Sequence, residues 1–205
     1  MKGMPEIKIE IAEMSKNALE MLELTHRAFM EHDVDLIAAA LERENRINDL
    51  EKEATNDLVL WGRGCMEKEE KLKIALYADV VGDLELIGDY CKDILERVQM
   101  KIEEKLLFSE DAVADYNKLY GITVIALKEI ISALEKDDLS LVKMVMKNQE
   151  HIDTMVDEMR SRHNQRMIEG VCTPLGCNMF LNILDFTAAI YYHVKKISRS
   201  LLKIK

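Results

Sequence analysis

The sequence predicts an all-α chain folded as two tandem antiparallel three-helix bundles, six long helices in all. Three observations carry that prediction. Only 2 prolines and 8 glycines occur in 205 residues, too few for a turn-rich β protein, while Leu, Ile, Met, Ala, Glu and Lys dominate, a composition that favours long helices. Apolar or small residues recur at Tyr77, Val81, Leu84, Gly88, Cys91, Leu95, Val98 and Ile102, the three-four alternation of a helix seam packed on other helices. Finally, the chain resembles itself. The stretch Phe29 to Ile37 lies without a gap on Leu134 to Val142, and the same register sets Ile47-Asn48-Asp49-Leu50 on Ile152-Asp153-Thr154-Met155. Glu85 to Ile94 can likewise be laid on Ala188 to Ile197. A helical triplet has been copied, with residues 1–106 as the first repeat and 107–205 as the second, together one domain. Short connections make neighbouring helices antiparallel.

Pro5 takes an early position of the first helix, which runs to about Glu31. His32-Asp33 breaks it, and Asp33 caps a second helix reaching about Leu60. Trp61-Gly62-Arg63-Gly64 reads as a turn. The third helix spans about Lys68 to Lys105. Ser109-Glu110-Asp111 opens the fourth with acids in its first turn, where the helix dipole favours them, and that helix ends near Lys136. Asp137-Asp138 starts the fifth, which carries Leu141, Val145, Asn148, Ile152, Met155, Met159 and His163 down one side to about Ile168. Gly170 stops it. Thr173 is an N-cap followed by Pro174 at the first helical position, and the sixth helix runs nearly to the C-terminus.

A formal net charge of −10 and a pI of about 5.1 repel phosphate backbones and anionic lipid, which argues against nucleic acid as a partner. The lysine-rich tail from Lys195 to Lys205 is a local exception and reads as cations complementing a helix C-terminus. No apolar run approaches the roughly 20 residues that cross a bilayer, so the chain reads as soluble, without membrane insertion, and its cysteine usage suits a cytoplasmic location. Cys65, Cys91, Cys172 and Cys177 contain no Cys-x-x-Cys pair and are expected as reduced thiols. Cys91 sits on the seam as a small hydrophobe, and the Cys172–Cys177 spacing is loose for structural zinc. No nucleophile with a base at a recognisable spacing and no Gly-rich phosphate loop occurs, so an enzyme is not expected.

Glu85 and Asp89 lie one helical turn apart beside the seam and next to Gly88. They make either a metal half-site or two acids on a solvated face, with Lys92 on the same side to neutralise them. Arg162 and Arg166, one turn apart, suit a phosphate or a partner carboxylate, and equally a role as cations docking a helix end. His163 extends the apolar row as a core-edge histidine, and His193 reads as structural. Met155, Met159 and Met167 suit an irregular core or, if exposed, a partner surface.

Glu44-Asn45-Arg46-Ile47-Asn48-Asp49-Leu50-Glu51, Glu85-Leu86-Ile87-Gly88-Asp89, Phe108-Ser109-Glu110 and Arg162-His163-Asn164-Gln165-Arg166-Met167-Ile168-Glu169-Gly170 together resemble the PhoU family. More narrowly, they are similar to the PhoU-like domain behind the membrane part of bacterial sodium/phosphate cotransporters. The resemblance covers nearly the whole chain. It implies a two-bundle regulatory module at the inner face of the cell membrane, damping phosphate uptake and signalling by touching a phosphate transporter or a sensor kinase. It also implies metal clusters held by Glu/Asp-x-x-x-Asp motifs on the inner helices.

Here the sequence departs from that pattern. The second helix offers Glu44 then Asn48, the fifth Gln149 then Asp153, the sixth Ala188 then Tyr192, and the alternative pair Asp185 and Ala189 also loses one acid. A polynuclear cluster needs several anionic oxygens, so the second-repeat cluster is expected to be absent. A single divalent or iron-type metal ion is expected in the first repeat on Glu85, Asp89 and Glu44, with Asn48 as a neutral donor. Arg162, His163 and Arg166 are the expected partner or phosphate contact. The alternative is a metal-storage or di-metal carboxylate protein, such as an oxidase. Those sites use Glu-x-x-His pairs, which Glu150-His151-Ile152-Asp153 does not supply. A homodimer, and membership of a larger transporter chain, stay open.

Overall fold

In the first helix, α1 (Met4–Glu31), the Gly3 amide donates to the Glu6 carboxylate at 2.8 Å. It ends where His32 turns left-handed at φ 56° and its amide closes on the Ala28 carbonyl. The computed structural model describes residues 3–64, 67–136, 138–147 and 149–204, the side chains of 144, 149 and 150 excepted. Asp33 Oδ1 accepts from the Asp35 amide at 2.8 Å to start α2 (Val34–Gly64). Then come α3 (Lys68–Glu103) and α4 (Glu110–Lys136), the latter opened by a bond from the Ala112 amide to the Ser109 hydroxyl. Asp138 likewise accepts from the Ser140 amide at the start of α5 (Ser140–Lys147). After α6 (Gln149–Ile168), Gly170 at φ 70° reverses the chain. Thr173 Oγ1 then accepts from the Gly176 amide at 3.1 Å to cap α7 (Pro174–Lys203).

Two element boundaries differ from expectation. Trp61-Gly62-Arg63-Gly64 is helical, because Gly62 faces Ile74 of α3, where an added Cβ would lie 3.6 Å from its Cδ1, and Trp61 packs on the core. That packing outweighs the roughly 1 kcal/mol that a glycine costs a helix. The helix expected from Asp138 to Ile168 is described as two segments, α5 and α6. Residue 148 between them lies outside the described residues, as do Asp137 and Cys65. Among the described residues there are therefore seven helices and no strand.

Helix α1 packs on α2, α3 and α4, while α7 packs on α3, α4, α5 and α6. The inner layer is thus α1, α3, α4 and α7, with α2 outside one half and the α5–α6 pair outside the other. The arrangement of α1–α2–α3 recurs in α4–(α5, α6)–α7, which is the two-bundle fold. Antiparallel pairing is visible in the contacts: α1 runs against α4 from Phe29 beside Phe108 to Lys16 beside Glu135, and α3 against α7 from Arg97 beside Asn182 to Asp83 beside Lys196. The turns at 32–33, 104–109 and 169–173 therefore share one end of the molecule.

The core is continuous across the two bundles, from Ile7, Met14, Met21 and Leu22 of α1 through Leu84, Ile87 and Val98 of α3 to Phe180, Ile190 and Ile197 of α7. Burying each such side chain contributes about 1.5–3 kcal/mol. Beneath the turn end, Phe29 meets Tyr116 edge-on at 4.6 Å and stacks on Phe108 at 5.7 Å, and Phe108 in turn meets Phe180. That aromatic row ties α1, α4 and α7 together.

Candidate functional site

The α2–α3 face carries the expected acidic residues. Helical spacing puts Glu85 and Asp89 on one stripe of α3, and both are half-buried. The Glu85 carboxyl is raised above the usual range, first by burial, then by the Asp89 carboxylate and its hydrogen bond, then by Glu51 and Glu44. Glu44 reaches this patch from α2 but is buried, 6 % exposed. Its Oε1 accepts from the Asn48 amide and from Lys92 Nζ, each at 3.0 Å. Asn48 thus presents its NH₂ to Glu44, and Lys92 supplies the positive charge at that oxygen. Gly88 brings the two helices together, since a Cβ there would meet Ile47 Cδ1 at 3.3 Å.

Glu44, Asn48, Glu85 and Asp89 therefore share one face, joined by Glu51, which the sequence reading passed over. Glu85 and Asp89 offer oxygens of the kind a hard cation takes, but Lys92 occupies Glu44, and among the described residues no three acidic ligand atoms converge on this face. In the second repeat the corresponding place is lined by Asp153, Ala188, Tyr192 and Lys195. Lys195 is 1 % exposed, and its ammonium finds no hydrogen-bond partner among the described residues. Burial pushes its pKa down, helped by the nearby Arg199 charge. It is not the solvated tail cation that the sequence suggested. One Glu-x-x-His does occur, Glu23-Leu24-Thr25-His26 of α1. His26 binds Asn117 at 2.7 Å and stacks on Tyr120, and Glu23 pairs with Lys128.

At the turn end, Arg162 and Arg166 converge on one carboxylate, Asp115 of α4. Arg162 reaches Oδ1 at 2.6 Å and Arg166 reaches Oδ2 at 3.5 Å. The carboxylate that the arginine pair suits lies within the chain, a partner the sequence reading did not find because α4 and α6 are far apart in sequence. His163 is 2 % exposed, stacks on Phe180 at 4.6 Å, and its Nε2 donates to the Cys177 carbonyl at 3.0 Å. Burial pushes its pKa below the ordinary histidine value. Cys172 and Cys177, expected as reduced thiols, form a disulfide across the turn with Cα atoms 5.8 Å apart. Gly170 and the Thr173 cap fold the intervening loop back so that the two residues meet, which spacing alone did not reveal. Cys91 is a free, buried thiol, as expected.

A second buried cluster spans the seam between the bundles. Asp83 of α3, 3 % exposed, accepts from His193 Nδ1 at 2.8 Å and from Lys196 Nζ at 2.7 Å, both on α7. His193 is structural, as read, but Asp83 was not singled out. Its only sequence signal is an acid inside an otherwise apolar seam.

Residues 11–98 match the family model for the PhoU domain. By sequence, no curated protein matches the chain. Among solved structures, the chain is similar to PhoU from Pseudomonas aeruginosa, with a TM-score of 0.90 at 17 % identity, covering 98 % of this chain and 95 % of that one. It is also similar to the phosphate transport system regulatory protein PhoU from Streptococcus pneumoniae, with a TM-score of 0.84 at 14 % identity, covering 97 % and 93 %. A PhoU-like protein from Shewanella oneidensis MR-1 follows at a TM-score of 0.66 and 12 % identity, covering 95 % and 96 %. No helix among the described residues is long and apolar enough to cross a membrane. Residues 11–98 thus match the PhoU domain, in a chain whose fold along nearly its whole length is that of the solved PhoU structures.

Proposed function

We propose that this chain is a regulatory module of phosphate transport or phosphate signalling. It works in the cytoplasm, by contact with a membrane phosphate transporter or its sensor kinase and not by turnover. The observation that carries this reading is the PhoU domain over residues 11–98 inside a PhoU fold. The finer reading, a domain of a sodium/phosphate cotransporter, is supported by the resemblance of the Arg162-to-Gly170 segment. A regulator of this kind shifts a transporter only by binding one of its states more tightly than another, since equal affinity shifts nothing. The turn end suits such contact, because Val34, Leu107, Ile168, Val171 and Leu175 all stand exposed there.

In a phosphate-uptake assay, cells lacking the gene should show altered uptake, restored by the full chain. A tagged form should recover a phosphate transporter or a sensor kinase from detergent-solubilised membranes. Unchanged uptake together with recovery of neither partner would sink the reading. Glu85 and Asp89, with Glu44 and Asn48 beside them, enter the proposal as a single-cation site, supported by the crowding that raises the Glu85 carboxyl. Manganese should then raise the unfolding temperature of the native chain but not of Glu85→Gln, because a ligand stabilises only the state that binds it.

A further inference from the structure

We propose that the turn between α6 and α7 is a thiol-gated zinc site, in which Cys172, Cys177 and His163 bind one zinc ion when reduced and release it when the disulfide forms. The proposal does not rest on the regulatory reading above. Its basis is geometric. One ligand atom from each of the three residues lies within 4.8 Å of the other two, and among the described residues no other three His, Cys, Asp or Glu side chains come so close.

Tetrahedral zinc, with bonds of about 2.3 Å to sulfur and about 2.0 Å to nitrogen, holds its donors about 3.5–3.8 Å apart. Once reduced, the two sulfurs need only part to that separation, within the space the three side chains already span. Four residues lie between the cysteines, the upper end of the spacing zinc sites use. His163 is held for the role by Phe180 on its face and by the Cys177 carbonyl on Nε2. With Nε2 carrying the proton, Nδ1 keeps the lone pair, and a second nitrogen fixed by a backbone carbonyl is the usual support of a zinc-binding imidazole. Arg166 Nη2 lies 3.5 Å from Nδ1, a long contact that zinc displaces, leaving the guanidinium on Asp115.

Cys177 lies in the first turn of α7, where the helix N-terminus favours a thiolate. Two thiolates, one zinc ion and a neutral imidazole sum to zero charge, so the Asp115–Arg162–Arg166 cluster alongside need not rearrange. Cys172 is only half-buried, which gives a water the fourth coordination position and gives an oxidant its entry. The gating step balances with a low-molecular-weight disulfide as oxidant. One thiolate attacks it to give a mixed disulfide and one small thiolate. The second cysteine thiolate then displaces the other small thiolate, closing Cys172–Cys177 and freeing the zinc ion.

The test uses the full chain, reduced with a phosphine, freed of metal and titrated with zinc in excess magnesium, which competes at oxygen sites but not at thiolates. One zinc per chain is expected, and cobalt(II) in its place should show sulfur-to-cobalt charge-transfer bands. Adding glutathione disulfide should release that zinc with two equivalents of glutathione per chain. Cys172→Ser, at a half-exposed position and checked for native helix content, should bind zinc at least about 100-fold more weakly, since even outer-shell changes cost about 10–100-fold. If the reduced chain takes up no zinc, if the cobalt form lacks sulfur bands, or if folded Cys172→Ser binds as tightly as the native chain, the turn is a plain disulfide staple and the proposal fails.

Discussion

Lys101 carries its ammonium into the aromatic junction under the turn end. Nζ donates to the Phe29 carbonyl at 3.2 Å, meets the His32 imidazole, and stands 4.7 Å from the centre of the Phe29 ring. Burial pushes its pKa down to about 8, against about 10.4 for a free lysine. The folded chain therefore loses this proton near pH 8 while the unfolded chain keeps it to about 10.4. Between those limits the unfolded state binds more protons, so stability should rise with pH. Below pH 8 both states are charged and the whole cost of burial is carried. Urea midpoints measured from pH 7 to 10.5 should rise for the native chain relative to Lys101→Met. A gap between the two that is flat with pH would show that Lys101 is not depressed. Neither Lys101 nor Lys195 could be recognised as buried from the sequence. Each sits near a helix C-terminus, where a lysine is ordinarily solvated, and only the packing of other helices over it reveals otherwise.

At the scale of helices, two glycines of α3 with the same sequence character do opposite things. Gly88 faces Ile47, whose Cδ1 an added Cβ would approach to 3.3 Å, whereas nothing lies within 4 Å of a Cβ at Gly82. Gly88→Leu should therefore push α2 from α3 and cost about 1–3 kcal/mol by overpacking. Gly82→Ala should stabilise by about 0.5–1 kcal/mol through helix propensity. Denaturant unfolding of both variants separates them, and equal effects would refute the close approach. The seam periodicity showed that residues 77–102 form a packed helix, and the caps at Asp33 and Thr173 and the helix starts near Ser109 and Asp138 were readable because helix-end chemistry is local. Asp83 was not, because its partners lie 110 and 113 residues away on α7. Losing one side of a buried ion pair costs about 3–5 kcal/mol, and the partial exposure of Lys196 argues for the lower part. Asp83→Ala should then cost about 3 kcal/mol. A smaller loss for Asp83→Ala would mean that the α3–α7 seam does not depend on this cluster.

For the whole molecule, the helical bundle was legible because the apolar pattern keeps the helical period along the chain and short connections leave few topologies open. What the pattern could not show is which surfaces lie together. The turns 32–33, 104–109 and 169–173 are remote in sequence, and only antiparallel packing gathers Val34, Leu107, Ile168 and Val171 at one end. Scattered exposed apolar residues are ordinary on a soluble protein, whereas a gathered set marks a contact surface. Leu107 is 84 % exposed and Ile168 76 %, so the double change Leu107→Asp, Ile168→Asp should alter stability by no more than about 0.5 kcal/mol at each site. A charge placed in an apolar contact is desolvated without a partner, and that cost falls on binding alone. The doubly substituted chain should keep its unfolding midpoint and lose recovery of its membrane partner, while Val59→Asp, an exposed change near the opposite end of α2, should keep both. If the partner is retained by the first chain and lost by the second, the contact surface lies at the other end of the bundles.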